Sequence, residues 1–371
     1  MQDAATMAVT RFAVPLMALL APALATAYEF NDQWSVGGVL AAAAQCQQPS
    51  GDAAGSACRG AVPLQPDISF RPDAANELAV KLGFAAGNAL GPVSPFSVPV
   101  WAADLQDDVR HVNGSGRGHL LTAWYRHAFD LGADRSARVT AGIIDGADFL
   151  DDNAFANDEY TQFMNAALVN GPSGFVPSYD TGLALEWDAG AWSLRGVYMH
   201  VDGPEPGGAH DYVGLQGSFR LQTGLGQGEY RLVLQHASPD FRAANGTGKA
   251  SLRSWIVSAD QQLGDTLGAW VRFGRQDDAA AVRFRSLYSG GVSLRGRSWG
   301  RPADDLGIGV AVARGGNLDT DHLRVIECYY RAELNTQFAV TLDLQHVREQ
   351  PAGSDEATAA WIGGLRVSFS Y

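Results

Sequence analysis

The sequence predicts an all-β protein: a transmembrane antiparallel β-barrel, expected to have sixteen strands, with a long loop folded into its lumen. Three observations predict it. The C-terminus, Trp361-Ile-Gly-Gly-Leu-Arg-Val-Ser-Phe-Ser-Tyr371, puts Trp361, Gly363, Leu365, Val367, Phe369 and Tyr371 on one face and Gly364, Arg366, Ser368 and Ser370 on the other. The same alternation recurs along the chain with no helical segments to cover the sheet, as in a barrel with lipid outside and water inside. The polar face also keeps presenting arginines: Arg126, Arg195, Arg231, Arg272, Arg324, Arg331 and Arg366. A dry core, as in a soluble sandwich or β-helix, would charge several kcal/mol per buried ion, on the order of the effective desolvation penalty. A wet lumen removes that penalty.

The N-terminus reads as a cleaved export signal. Arg11 precedes an apolar run from Phe12 to Leu24, and Ala25-Thr26-Ala27 supplies small residues for cleavage before Tyr28. The run is shorter than the roughly 20 residues a spanning helix needs. Residues 1–27 are therefore expected to be a signal peptide and 28–371 an outer-membrane barrel of a Gram-negative bacterium.

Strands are expected over 34–43, 75–86, 118–129, 136–145, 179–188, 190–201, 210–221, 228–238, 250–262, 265–275, 286–297, 304–314, 323–334, 336–348 and 358–371. Barrels of this class have an even strand number. A sixteenth strand is accordingly sought within 60–72 or 96–106. Connections such as Asp188 to Gly190, Gly264-Asp265 and Leu334-Asn335-Thr336 are very short, whereas 87–117, 146–178, 239–249 and 276–285 are long. Short turns at one end and long loops at the other are the habit of outer-membrane barrels.

Composition narrows the partners. Net charge is -13, and lysine occurs only at Lys81 and Lys249. Nucleic acid, which needs a basic stripe, is excluded as a partner. Cys46 and Cys58 lie close together in a stretch that reads as a loop, and a local disulfide is expected in an exported protein. Cys328 reads as a small hydrophobe on an apolar strand face. No metal site and no cofactor are expected: the EF-hand pattern is absent, although Asp151, Asn153 and Asn157 carry oxygen ligands.

The longest loop contains Phe149, Asp152, Asn153, Ala156, Asn157, Asp158, Glu159, Gln162, Phe163 and Asn165 in a spacing that resembles the carbohydrate-selective porins, the OprB family. Glu327-Cys-Tyr-Tyr-Arg331, Leu342-Asp-Leu-Gln345 and Gly364-Leu-Arg-Val-Ser-Phe369 resemble that family's last three strands in order and spacing. The resemblance covers about the last two thirds of the chain. It implies a sixteen-stranded channel for passive uptake of mono- or oligosaccharides. The outer-membrane lipids and the barrel assembly machinery, reading the C-terminal strand, are expected partners; homotrimer and monomer both stay open.

Within that reading, loop 146–178 is the expected constriction. Its apolar residues Phe149, Phe155, Tyr160, Phe163, Met164, Leu168 and Val169 need a wall to pack on. The candidate pore-lining and sugar-contacting residues are Asp151, Asp152, Asn153, Asn157, Asp158 and Glu159 on the loop, with Arg324, Glu327, Tyr329, Arg331 and Gln345 on the wall. The acidic group serves equally well to pin the loop by salt bridges. Carboxylates, amides and guanidinium groups suit sugar hydroxyls, and Trp124 and Trp270 on inward faces are candidate stacking platforms. Trp187, Trp192, Trp255, Trp299, Trp361 and Tyr371 read instead as an interface girdle. The competing readings are a general or ion-selective porin, a barrel enzyme and an adhesive barrel. No Gly-x-Ser-x-Gly or HExxH motif is present, and no enzyme activity is expected.

Overall fold

The alternating segments become strands of one closed sheet in a computed structural model that describes residues 28–50, 55–114, 117–169, 171, 174–202 and 209–371. The expected signal peptide, 1–27, lies outside the described residues. Sixteen antiparallel strands form the wall: β1 (Trp34–Ser50), β2 (Ala57–Phe70), β3 (Asn76–Leu82, continued by Phe84–Ala86), β4 (Leu120–Gly132), β5 (Arg135–Ile144), β6 (Asp180–Ala189), β7 (Trp192–Val201) and β8 (His210–Thr223). They continue as β9 (Gly226–Arg242), β10 (Lys249–Leu263), β11 (Leu267–Gln276), β12 (Phe284–Arg295), β13 (Asp305–Gly315), β14 (Thr320–Glu333), β15 (Phe338–Pro351) and β16 (Thr358–Ser370). Each strand pairs with its sequence neighbours, and β16 closes on β1 with Leu365 opposite Ala44. Closure leaves no free strand edge in the apolar layer.

Leu183, Leu185, Leu194, Leu215, Leu232, Leu234, Leu342, Leu344 and Leu365 stand exposed on the outer surface. They alternate with inward residues such as Gln216, Arg231, Asp260, Arg272 and Arg366, all buried. Rings flank this apolar band at both ends. Trp192 meets Phe219 and Phe338 meets Phe369 beside the short turns; Trp255, Tyr288 and Trp361 lie toward the long loops. The β4–β5 hairpin is an example of the tight turns: Ala133 and Asp134 both have positive φ between the paired Gly132 and Arg135, as a twisted two-residue turn requires.

The sixteenth strand falls in one of its two expected windows, and one expected loop is a strand pair. The sixteenth strand is β2, overlapping the 60–72 window, whereas 96–106 is not a strand. The cysteine stretch is also not a loop: β1 runs on to Ser50, β2 starts at Ala57, and Cys46 and Cys58 are cross-strand neighbours joined by a disulfide. β3 breaks at Gly83, where a Cβ would lie 2.9 Å from side-chain carbons of Leu121 and Val109.

Candidate functional site in the barrel lumen

The described residues of the connection from β5 to β6 (145–169, 171 and 174–179) lie against the inward side of the wall. Asp145 starts it by accepting the Ala147 amide at 3.0 Å, which turns the chain back. Phe149 and Leu150 then pack on Ala184, Val197, Met199, Tyr212, Val233 and Ile256. Further on, Phe163, Leu168 and Val169 pack with Trp270, Tyr329, Val347 and Ile362. Glycines on the wall leave sockets for this packing. A Cβ on Gly268 would sit 2.2 Å from the Phe155 ring, and one on Gly309 would sit 2.9 Å from Phe163.

Polar anchors fix the same segment. Arg272, with a fully buried side chain, donates to Asp151 at 2.5 Å, to the Leu168 carbonyl at 2.8 Å and to the Ala156 carbonyl at 2.9 Å. Arg231 joins Asp152 and Asp260, each at 2.6 Å. Gln216 accepts the Asp151 amide at 2.7 Å. Glu327 accepts the amides of Met164 and Asn165 at 2.5 and 3.0 Å. Arg366 donates to the carbonyls of Glu159 and Gln162 at 2.6 and 2.9 Å. Charged donors and acceptors of this kind make the stronger hydrogen bonds.

A second connection, between β3 and β4 and described over 87–114 and 117–119, packs beside the first. Its Val98 and Val100 join the cluster of Phe163 and Leu168, and its Trp101 and Leu105 join Tyr160 and Met164. The Val100 carbonyl accepts from Gln45 at 3.1 Å and Gln345 at 2.9 Å. The segments bond to each other where Ala102 donates to Met164 and Ala166 to Pro99. Sequence reasoning missed this segment, because its apolar residues follow no repeat period.

The residues singled out in the sequence fall into distinct places. Asp151, Asn153, Glu327 and Gln345 are buried anchors between loop and wall, with Asn153 donating to Ser258 at 3.2 Å. Asp152 is both: paired to Arg231, it keeps a side chain that is 56% exposed. The Asp158 carboxylate shapes its own turn by accepting from Tyr160 and Thr161. Asn157 and Glu159 are half-buried on the loop. Tyr329 is buried edge-to-face against Phe163, and Trp270 is buried beside the same ring, so neither presents a face to solute here. Trp124 is inward and half-buried, with the Arg126 guanidinium 4.6 Å from its ring centre. Arg331 is inward and pairs with Glu333 at 3.1 Å.

Arg324 is a correction. It shares the parity of Ile326 and Cys328 and stands exposed on the outer surface, opposite Arg348. It does not line the lumen. Asp151 and Asp152 pair with the wall the loop rests on, which is the pinning reading of the acidic group.

Two further charged groups face the lumen. On β3–β8, Arg126, Arg138, Arg195 and Arg220 interleave with Glu77, Glu186 and Asp188 at 2.9 to 4.0 Å. At the level of the loop, Asp104 accepts from Gln65 at 2.7 Å and from the Tyr179 hydroxyl at 2.6 Å. Burial and the neighbouring Asp148 push Asp145 up to about 7. Burial, with Asp158 beside it, raises Glu159 well above the usual carboxylate range.

Comparison with known proteins places this geometry. A family model described as the carbohydrate-selective porin, OprB family, matches residues 103–371. The high-pH structure of Pseudomonas putida OprB superposes with a TM-score of 0.69 at 17% identity, covering 91% of this chain and 94% of that one. Its low-pH structure gives 0.55 at 15% identity, over 91% and 93% of the two chains. An uncharacterized protein of Aquifex aeolicus (strain VF5) is 28% identical over 298 residues, 80% of this chain and 84% of its own length.

Proposed function

The chain belongs to the carbohydrate-selective porin (OprB) family, and from that membership we propose how its lumen passes sugar. The protein is an outer-membrane channel for sugars rather than an enzyme. Flux is passive and is narrowed by the in-folded segments 145–179 and 87–119. The observation that carries this reading is the seating of loop 145–179 inside the wall, with polar anchors on β8–β16 and apolar contacts reaching β6 and β7. Arg126, Glu186 and Arg195 stay directed inward on β4–β7.

A solute crossing the lumen meets Asp152, Asn157 and Glu159 on the loop and the guanidinium–carboxylate ladder on the wall, which Arg220 and Glu229 join to the Arg231–Asp152 pair. Such a gap offers donors and acceptors to hydroxyl groups without a net charge requirement. The anchors Asp151, Asn153, Glu327 and Gln345 set its width without touching solute. The leader 1–27 directs export, and the C-terminal strand addresses the barrel to the assembly machinery.

Single-channel conductance of the purified protein in a planar bilayer, titrated with glucose and a disaccharide, tests the reading. Saturable block by sugar is the expected result. Steady conductance without block would assign a general diffusion porin instead.

A further inference from the structure

The outer surface carries a row of arginines that the channel does not use. Arg253, Arg275, Arg314, Arg324 and Arg348 stand exposed on the outward face of β10, β11, β13, β14 and β15, toward the long loops. The strand register makes them neighbours. Arg324 is directly opposite Arg348, and Arg314 is opposite His322, one outward position above Arg324. Arg275 is opposite Trp255, one outward position below Arg253. Five inter-strand spacings of about 4.8 Å give the row a breadth of roughly 24 Å.

No protein group answers this charge. Among the described residues, none of the five guanidinium groups has an ion pair or hydrogen bond to the protein. Three acids of the nearby rim are engaged elsewhere: Asp278 with Arg285 at 3.2 Å, Asp319 with Arg283 at 3.5 Å and Asp321 with His322 at 2.7 Å. Asp277 meets Arg253 through its backbone amide. The short-turn rim differs, since Arg71, Arg297 and Arg301 there pair with Glu77, Asp265 and Asp304. Like charges directly opposite on neighbouring strands are destabilising, so an Arg324–Arg348 rung calls for an external anion.

The surface just below the row is apolar and aromatic. Phe273 and Tyr288 pack at 5.9 Å, and Val257, Ile326, Leu344 and Trp361 continue the band. We propose that this row and the band beneath it form a binding site for an outer-leaflet lipid whose headgroup carries two or more phosphates. The guanidinium groups would clasp the phosphates and the rings would cover the first acyl segments. Arginine suits this through its planar array of donors, and basic groups at a membrane surface attract anionic headgroups. The inference rests on the barrel's placement in the membrane and is independent of which solute crosses it.

The test titrates the purified full-length barrel in detergent with a bis-phosphorylated acylated disaccharide lipid, reading bound lipid per barrel by native mass spectrometry. The comparison protein carries Arg314→Gln, Arg324→Gln and Arg348→Gln. At least tenfold weaker binding is expected for the variant, with unchanged KCl conductance confirming an intact barrel. Equal affinity in the two proteins would overturn the proposal. So would equal retention of the dephosphorylated lipid or of phosphatidylglycerol. Displacement of the lipid by millimolar inorganic phosphate would assign a free-anion site and also overturn it.

Discussion

Replacing Arg272 with Met should release loop 145–179 from its seat without unfolding the barrel. The arginine holds three points of the loop together, at residues 151, 156 and 168, and its side chain is fully buried. Met fills much of the volume but provides no donor. The Asp151 carboxylate, whose other oxygen already lacks a partner, is then left charged and enclosed. Removing one member of a buried pair costs about 3–5 kcal/mol. At 1.4 kcal/mol per tenfold change, the released population rises by roughly a hundred- to a thousand-fold or more. The assay is single-channel recording, where larger conductance, added open-channel noise and weaker sugar block are expected. Adding Asp151→Asn should restore part of the wild-type behaviour, because the stranded charge is gone. A folded Arg272→Met channel with unchanged conductance, noise and sugar block would refute the reasoning.

Four further perturbations probe neighbouring features. Arg366→Gln removes the donors to Glu159 and Gln162, at about 1.5–3 kcal/mol for a charged hydrogen bond, and should raise open-channel noise less than Arg272→Met does. Gly268→Val should expel Phe155 from its socket, and a higher conductance in the bilayer would register it. Glu159→Ala should change sugar affinity with little change in thermal stability, because Arg366 holds the Glu159 carbonyl and not its carboxyl; sugar block and heat-modified gel mobility measure it. Asp145, held up to about 7, keeps its proton in the folded state at pH values where the unfolded chain has lost it. Its contribution to stability is full below about pH 4 and is lost as pH rises through 7. The same ionisation adds negative charge at the gap, so cation selectivity should rise across that range. Reversal potentials in a KCl gradient check this, and Asp145→Asn should remove the step.

The wall was legible because each spanning residue faces either lipid or lumen, and this two-state choice prints itself as alternation. Trp361 to Ser370 reads correctly on that basis. β2 was hard to read because Pro63 and Pro66 interrupt its pattern. Arg324 breaks the rule that a charge on a strand faces the lumen, although its parity with Ile326 places it outside. The 145–179 segment was found through its residues, yet its partners Gln216, Arg231 and Arg272 lie 65 to 121 positions away. Pairings at that distance leave no local trace. Segment 87–119 lacked even a motif, and its seat depends on Gln45, Gln345 and Glu349 from strands at both ends of the chain.

Those distances have a consequence for assembly. The in-folded segments are held by Gln345, Glu349 and Arg366, which enter the chain 204 to 252 residues after the groups they bind. A contact cannot form before both its partners exist in place, and long separations close slowly. The loop's seat on Gln216, Arg231 and Arg272 needs only β8–β11, but its far part and segment 87–119 find their partners only when β15 and β16 are in place. The narrowing of the bore is therefore completed together with the closure of the wall, by the strands that the chain supplies last.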